Sequence, residues 1–188
     1  MNNGGFTLGG RTAHSLGLHM LRSSQRPILP GTVDRTMAIP GRNGEWDFGA
    51  DIGPRPFQLD CAVLSPSAEA LQQVVSNLAA ALMTIYGKPK EQSLVFDYQP
   101  DREYTVRYSG NLPIDRLVGL GKFTLPLIAY DPFAYGSTQL VEQTITDSPE
   151  IITVYSGGNV VAEPVLMITN TGLSPVSGFS IINEYEIE

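Results

Sequence analysis

The chain has 188 residues, 42% of them hydrophobic and 16% charged, which excludes a disordered polyelectrolyte and supplies enough apolar matter for a sizeable core. One cysteine excludes an internal disulfide and a cysteine-rich zinc site, and two histidines leave little for a histidine metal centre. All twelve Lys and Arg fall at or before Lys122, so residues 1–122 carry a net +1 while residues 123–188 carry eight acids and no base. That distribution argues against a basic nucleic-acid groove and for two units with different surroundings.

In chain order, Met1 to Gly10 is polar and glycine-rich, without the apolar core of a secretory signal. The longest apolar stretch, around Leu78 to Ile85, is too short to span a bilayer. The expectation is a soluble protein made in a reducing cytoplasm, with no membrane insertion. Val33 to Ile39 reads as a weak strand, and Gly41-Arg42-Asn43-Gly44 as a glycine-rich turn before Trp46 and Phe48. Phe57, Leu59, Cys61 and Val63 alternate with Gln58, Asp60 and Ala62, the pattern of a half-buried strand.

One helix follows. Ser65 is placed to cap it, Pro66 suits its first position and Glu69 its first turn. Leu71, Val74, Val75, Leu78, Leu82 and Ile85 keep the spacing of one apolar face, and Gly87 with Pro89 ends it. Leu94 to Tyr98 and Tyr104 to Tyr108 are strands, with turn chemistry at Gln99 to Arg102 between them, hence a hairpin. Lys122 to Tyr130 is another strand, in which Pro126 requires an edge or a bulge.

Beyond Gly136 the chain is polar and Thr-rich to Glu150, a linker. Ile151 to Tyr155, Val165 to Thr169 and Phe179 to Ile182 then read as short strands between turns. The order of strands, one helix and strands again is not the alternation of a parallel sheet. The expected fold is α+β and mainly β. It has an antiparallel, β-sandwich-like N-terminal domain with one packed helix, residues 1–136. A linker and a short or incomplete β C-terminal unit follow, residues 137–188.

No pattern for catalysis emerges. Gly119-Leu120-Gly121-Lys122 fails as a phosphate loop, because Arg116 and Phe123 stand where the pattern needs glycine and Ser or Thr. His14 and His19 lie five apart with no acid between them, which suits neither a helical metal pair nor a triad. Cys61 sits among apolar neighbours on a strand, an environment that disfavours the thiolate. Asp97, Asp101 and Glu103 surround a hairpin turn, where acids are ordinarily solvated. Asp47 and Asp51 beside Trp46 suit an interface loop better than a sugar-binding edge.

Leu94-Val95-Phe96-Asp97 followed by Asp101-Arg102-Glu103-Tyr104 resembles the hairpin of siphophage distal tail proteins. The segment Ala129 to Gly136, with Asp131-Pro132-Phe133-Ala134-Tyr135-Gly136 at its end, resembles the close of that family's first domain. Pro40 to Gly44 resembles its glycine-rich loop, and the single helix sits where the family has one. The resemblance covers roughly Phe6 to Gly136. Downstream, Gly158 to Pro164 and Val165 to Ile168 resemble the start of the family's second, sugar-module-like β domain, of which this chain would hold only part.

The resemblance implies a structural role without catalysis, cofactor or metal. It implies a homohexameric ring in the virion, at the phage tail tip or baseplate, between a tail-tube protein and a tail tip or fibre protein. Phage DNA would pass through without tight binding. Closed rings need two different complementary surfaces on each copy. Gly41, Arg42, Gly44, Trp46 and Phe48 are the candidate protomer interface, because a glycine-rich turn can carry aromatic anchors onto a neighbour. Another tail-tube or baseplate component and a carbohydrate-binding host-attachment module are the alternatives.

Overall fold

The computed structural model describes residues 4–155 and 157–184; Met1, Asn2 and Asn3 of the polar N-terminal stretch lie outside them. The chain divides into two units, residues 1–140 and 141–188. In order, the first holds β1 (Phe6–Leu8), β2 (Arg11–Thr12), a 3-10 turn (His14–Leu16), β3 (His19–Met20), β4 (Thr32–Ala38), β5 (Glu45–Ile52) and β6 (Arg55–Leu64). Then come α1 (Ala68–Leu82), β7 (Gln92–Phe96), β8 (Gln99–Tyr108), β9 (Asp115–Leu117) and β10 (Leu120–Ala129). Eight strands form one antiparallel sheet in the order β2-β1-β7-β8-β10-β6-β3, with β9 also on β10. Strands β4 and β5 pair only with each other. The fold is α+β and mainly β, as the pattern of strands and one helix required.

The sandwich-like layering is achieved by one curled sheet, a half-barrel. Laid flat, β7 and β6 would stand three strand spacings apart, about 14 Å. The rings of Phe96 on β7 and Phe57 on β6 nevertheless have centroids 5.8 Å apart. Curling brings them together, and Tyr104 of β8 meets Phe57 edge-on at 5.0 Å. The concave face holds the core: Phe57, Leu59, Cys61 and Val63 of β6 and Phe123, Leu125, Leu127 and Ala129 of β10 are all buried.

Helix α1 closes this face with Leu71, Leu78 and Leu82, and its polar residues face solvent. Its start is two residues later than the sequence suggests. Ser67 is the cap, its Oγ accepting from the Ala70 N–H at 3.2 Å. Ser65 is held elsewhere, its N–H donating to the Gly119 carbonyl at 2.8 Å. The end also comes earlier, at Leu82. Met83 turns extended and bridges Pro89, and Thr84 N–H bonds the Lys88 carbonyl at 2.8 Å. Gly87, with φ 70°, serves that turn rather than the helix, and Ile85 is left exposed.

The β7–β8 hairpin forms, but it turns at Asp97 and Tyr98 and not at Gln99 to Arg102. Asp97 is tied to the chain start, its N–H on the Gly5 carbonyl at 3.1 Å and its carboxylate accepting from the Gly5 N–H at 3.0 Å. Pro100 to Arg102 fall in a bulge of β8, since Phe96 pairs with Gln99 and Val95 with Glu103. A proline fits there because a bulged residue owes no ladder donor.

Pro126 obeys the same rule inside β10. Its partner Gln58 turns its own N–H and carbonyl to Gln25 on the other side. The missing proline N–H therefore points to the opposite edge, where pairing with β8 begins only at Leu127.

In the second unit, no strand or helix occurs among the described residues. The strands expected at Ile151 to Tyr155, Val165 to Thr169 and Phe179 to Ile182 do not form, and their apolar side chains are exposed. A strand needs a neighbour for its backbone groups, and about fifty residues bury too little apolar surface to assemble a core alone. What order there is comes from local bonds, such as the Gly172 N–H on the Asn170 side chain at 2.9 Å.

Two outcomes follow for the core. Leu78→Ala is expected to lower stability by about 2–5 kcal/mol, measured by urea melts; a change no larger than that of a surface substitution would remove Leu78 from the core. Burial pushes the Cys61 thiol up to about 12, with the Asp60 charge a second cause. Folding thus tightens its proton, so its stabilising contribution holds below about 9 and drains away as pH climbs towards 12, by at most ~1.4 kcal/mol per pH unit. Melts at pH 8, 9.5 and 10.5 are expected to fall more steeply for the native chain than for Cys61→Ala; parallel slopes would contradict this.

Candidate functional site

Every residue from Gly31 to Ile52 is exposed, although most of them are paired in regular strands. These residues form a two-stranded arm, β4 and β5, that leaves the body at one point. At its base the Gly53 N–H donates to the Gly31 carbonyl at 2.8 Å. Gly53 itself is buried, and a Cβ there would stand 3.2 Å from the Gly31 carbonyl oxygen. Seven or eight residues per strand make the ribbon about 25 Å long.

The arm turns at Pro40 to Gly44. Gly41 and Gly44 have φ of 81° and 80°, conformations that favour glycine, and nothing lies within 4 Å of where their side chains would be. Arg42 lies over the Trp46 ring, its guanidinium carbon 4.7 Å from the centroid. The turn is thereby held by a cation–π contact on the surface.

The register makes the ribbon two-faced. Met37 pairs with Trp46 and Val33 with Asp51, while Thr36 pairs with Asp47 and Asp34 with Ala50. Between these, Arg35 alone opposes both Phe48 and Gly49, so β5 carries a bulge. Gly49 is the extra residue, with φ 93°, and its N–H donates to the Asp47 carboxylate at 2.7 Å. Alternation from Trp46 puts Phe48 on the side of Trp46; the bulge then returns Asp51 to that side, where it pairs with Arg35. One face therefore carries Val33, Met37, Trp46 and Phe48 with Arg35, Arg42 and Asp51. The other carries Asp34, Glu45 and Asp47 with Thr32, Thr36, Ala38, Ala50 and Ile52.

The five residues singled out from the sequence, Gly41, Arg42, Gly44, Trp46 and Phe48, all lie on this arm. The sequence reading missed Val33, Arg35 and Met37, which share their face, and Gly49, which sets the phase. Two extended runs either side of Gly-Arg-Asn-Gly were the available signal for a hairpin.

The remaining candidates are structural. His14 and His19 meet edge to face at 6.1 Å. Asp131 accepts from the Tyr135 hydroxyl at 2.5 Å, which raises the Tyr135 pKa. Tyr135 in turn bridges Glu103, N–H to carbonyl in both directions at 2.8 Å. The segment ending at Gly136 is thus stitched to β8.

Residues 12–129 match the family model of the phage tail protein RIFT-related domain. That is more than half of the chain, and the chain belongs to this family. Its fold is similar to that of the SPP1 Dit (gp 19.1) protein, whose crystal structure is presented as a paradigm of the hub adsorption apparatus in phages infecting Gram-positive bacteria. The TM-score is 0.60 at 18% identity, over 72% of this chain and 53% of that one. The chain thus spans about half the length of that protein. No curated protein matches it. The family makes the chain a phage tail protein, and its fold is that of the distal tail hub which its hairpin and closing segment resemble.

Because the arm buries nothing against the body, replacing residues 32–52 by a short Gly-Ser turn between Gly31 and Gly53 is expected to cost less than about 1 kcal/mol, a shift of a few degrees in Tm. A drop comparable to that of a core truncation would show that the arm belongs to the body's folding unit.

Proposed function

We propose that this protein forms a ring of six copies at the phage tail tip, joining the tail tube to tip or fibre proteins around a channel for DNA. It does so without catalysis. The body, residues 1–136, makes the ring, and the arm is the contact from one copy to the next through Trp46, Phe48 and the Pro40 to Gly44 turn. Residues 137–188 form a separate unit that serves as an attachment point.

The observation that carries this reading is the arm. A lone two-stranded ribbon is marginal in water, and this one exposes Trp46, Phe48, Met37 and Val33 on a single face. Such a ribbon is stabilised when a partner covers it. A heterologous contact of that kind repeats from copy to copy and closes into a ring when the rotation allows. Exposed apolar anchors, a fold shared with a hub protein and membership in a tail-protein family all support the same assembly.

Purified at high concentration, or mixed with its tail-tube and tip proteins, the protein is expected to give particles with six-fold symmetry in class averages. Trp46→Ala with Phe48→Ala is expected to weaken assembly by ~2–4 kcal/mol per lost anchor. Mild proteolysis within residues 137–150 should leave the ring standing. A persistent monomer under these conditions would sink the ring; unaltered assembly of the double variant would sink the assigned contact.

A further inference from the structure

The chain enters the arm through a stretch that ordinary pairing and packing do little to hold. It bonds the sheet at Gln25, whose N–H and carbonyl both meet Gln58, and the arm closes at Gly31 and Gly53. Between these points Pro27 and Pro30 have no N–H to give. Ile28 and Leu29 are 90% and 75% exposed. The carbonyls of this stretch are taken instead by one side chain. Arg55, at the start of β6, donates from Nε and Nη2 to the Pro27 carbonyl at 3.2 and 2.7 Å, and from Nη2 to the Ile28 carbonyl at 2.8 Å.

The same guanidinium reaches a second segment. Its Nη1 donates to the Pro132 carbonyl at 3.4 Å. Ala129, the last residue of β10, is the ladder partner of Arg55, so the chain that leaves β10 passes the arginine side chain. That continuation is then tied to β8 through Tyr135 and Glu103, and Asp131 accepts from the Phe133 N–H and the Tyr135 hydroxyl. The guanidinium carbon also lies 5.0 Å from the Tyr104 ring centroid and 5.7 Å from that of Phe57, both buried in the core. All three acceptors of Arg55 are main-chain carbonyls.

This use suits arginine and no other side chain. The guanidinium is a planar fork whose donors keep fixed directions, whereas a lysine ammonium is a single point of charge. Its donors therefore move as one unit. A shift of the arm base that carries Pro27 and Ile28 either breaks their bonds or turns the fork. Turning the fork takes Nη1 off Pro132, and that bond, the longest of the set, is the first to yield.

We infer that Arg55 is a clasp shared by the arm and by the chain leaving β10: its guanidinium sets the direction of the arm and couples it to the path of residues 130–136. Bending the arm shifts that segment, and by linkage the reverse holds. The ribbon itself buries nothing against the body; the hold is on the chain just before it. The clasp works within one copy and does not depend on how many copies assemble.

Trp46 is the one tryptophan of the chain and lies on the arm, so its time-resolved fluorescence anisotropy in the dilute, full chain reads the swing of the ribbon. Amide exchange at Glu103 and Tyr135 reads the segment leaving β10. Arg55→Met is expected to raise the amplitude of nanosecond depolarisation about twofold and to speed exchange at those amides about tenfold. Arg55→Lys, which keeps the charge without the fork, is expected to do the same and serves alone if Arg55→Met does not fold. Tyr135→Phe, which removes the bond to Asp131, tests the coupling. It should raise Trp46 depolarisation in the native background and add nothing once Arg55 is replaced. A residue that only stabilised the fold would lower Tm and leave the motion of Trp46 in the folded state as it was. Unchanged Trp46 motion in the Arg55 variants, or native values with lysine, overturns the clasp. Tyr135→Phe leaving Trp46 unmoved, or moving it equally in both backgrounds, overturns the coupling. Every reading is made on a single copy, so failure of the ring leaves them untouched.

Discussion

The fold depends on one ladder. Strands β6 and β10 pair over ten residues, from Leu64 with Leu120 to Arg55 with Ala129. This places Phe57 opposite Leu127, Leu59 opposite Leu125 and Cys61 opposite Phe123 on the concave face. A slip of one residue would turn the whole row outward. Gly121 completes the register: a side chain there would meet Leu71 and Ile114 at under 3 Å. Its lack of a side chain lets the first turn of α1 sit against β10. Helix, sheet and the buried Cys61 are therefore consequences of the same pairing.

The ladder also fixes what the convex face shows. With odd-numbered residues of β10 buried, Leu120, Lys122, Thr124, Pro126 and Ile128 must face outward. A sheet covered on both sides would carry near-continuous apolar runs, and β10 mostly does not. Apolar residues lie at both ends of this face, Leu120 with Leu64 and Leu117 at one and Ile128 with Pro56 at the other.

Much of this was legible in the sequence, and the failures share a cause. Strand β6 and the apolar face of α1 follow from period alone, because burial on one side imposes it. The cap was misread because Ser65 and Ser67 are equally good by type; the choice was made by Gly119, fifty residues away. The β7–β8 turn was misread because Pro100 and Asp101 have turn chemistry but are used in a bulge, while Asp97 was claimed by Gly5. The C-terminal runs have strand composition but find no neighbour among the described residues. The aromatic turn of the candidate site was visible, whereas the face it belongs to was not. That face depends on the bulge at Gly49, and a bulge is a relation between two strands, not a property of either.

The separation of arm from body has a physical logic. The body places its apolar side chains on the concave face, in rows set by long ladders. The arm places its apolar residues on one face of a ribbon with no second layer, so its burial is deferred until another surface arrives. Under the proposed assembly, such an arrangement would tie the ordering of the ribbon to association, with the anchors covered in the assembled state. Glycine at the two ends of the Gly-Arg-Asn-Gly turn and at the bulge sets the ribbon's shape, and the acidic back face of Asp34, Glu45 and Asp47 opposes pairing of two arms back to back through like charge. For the proposed ring, this like charge disfavours a contact between arm and arm, which would stop at a dimer.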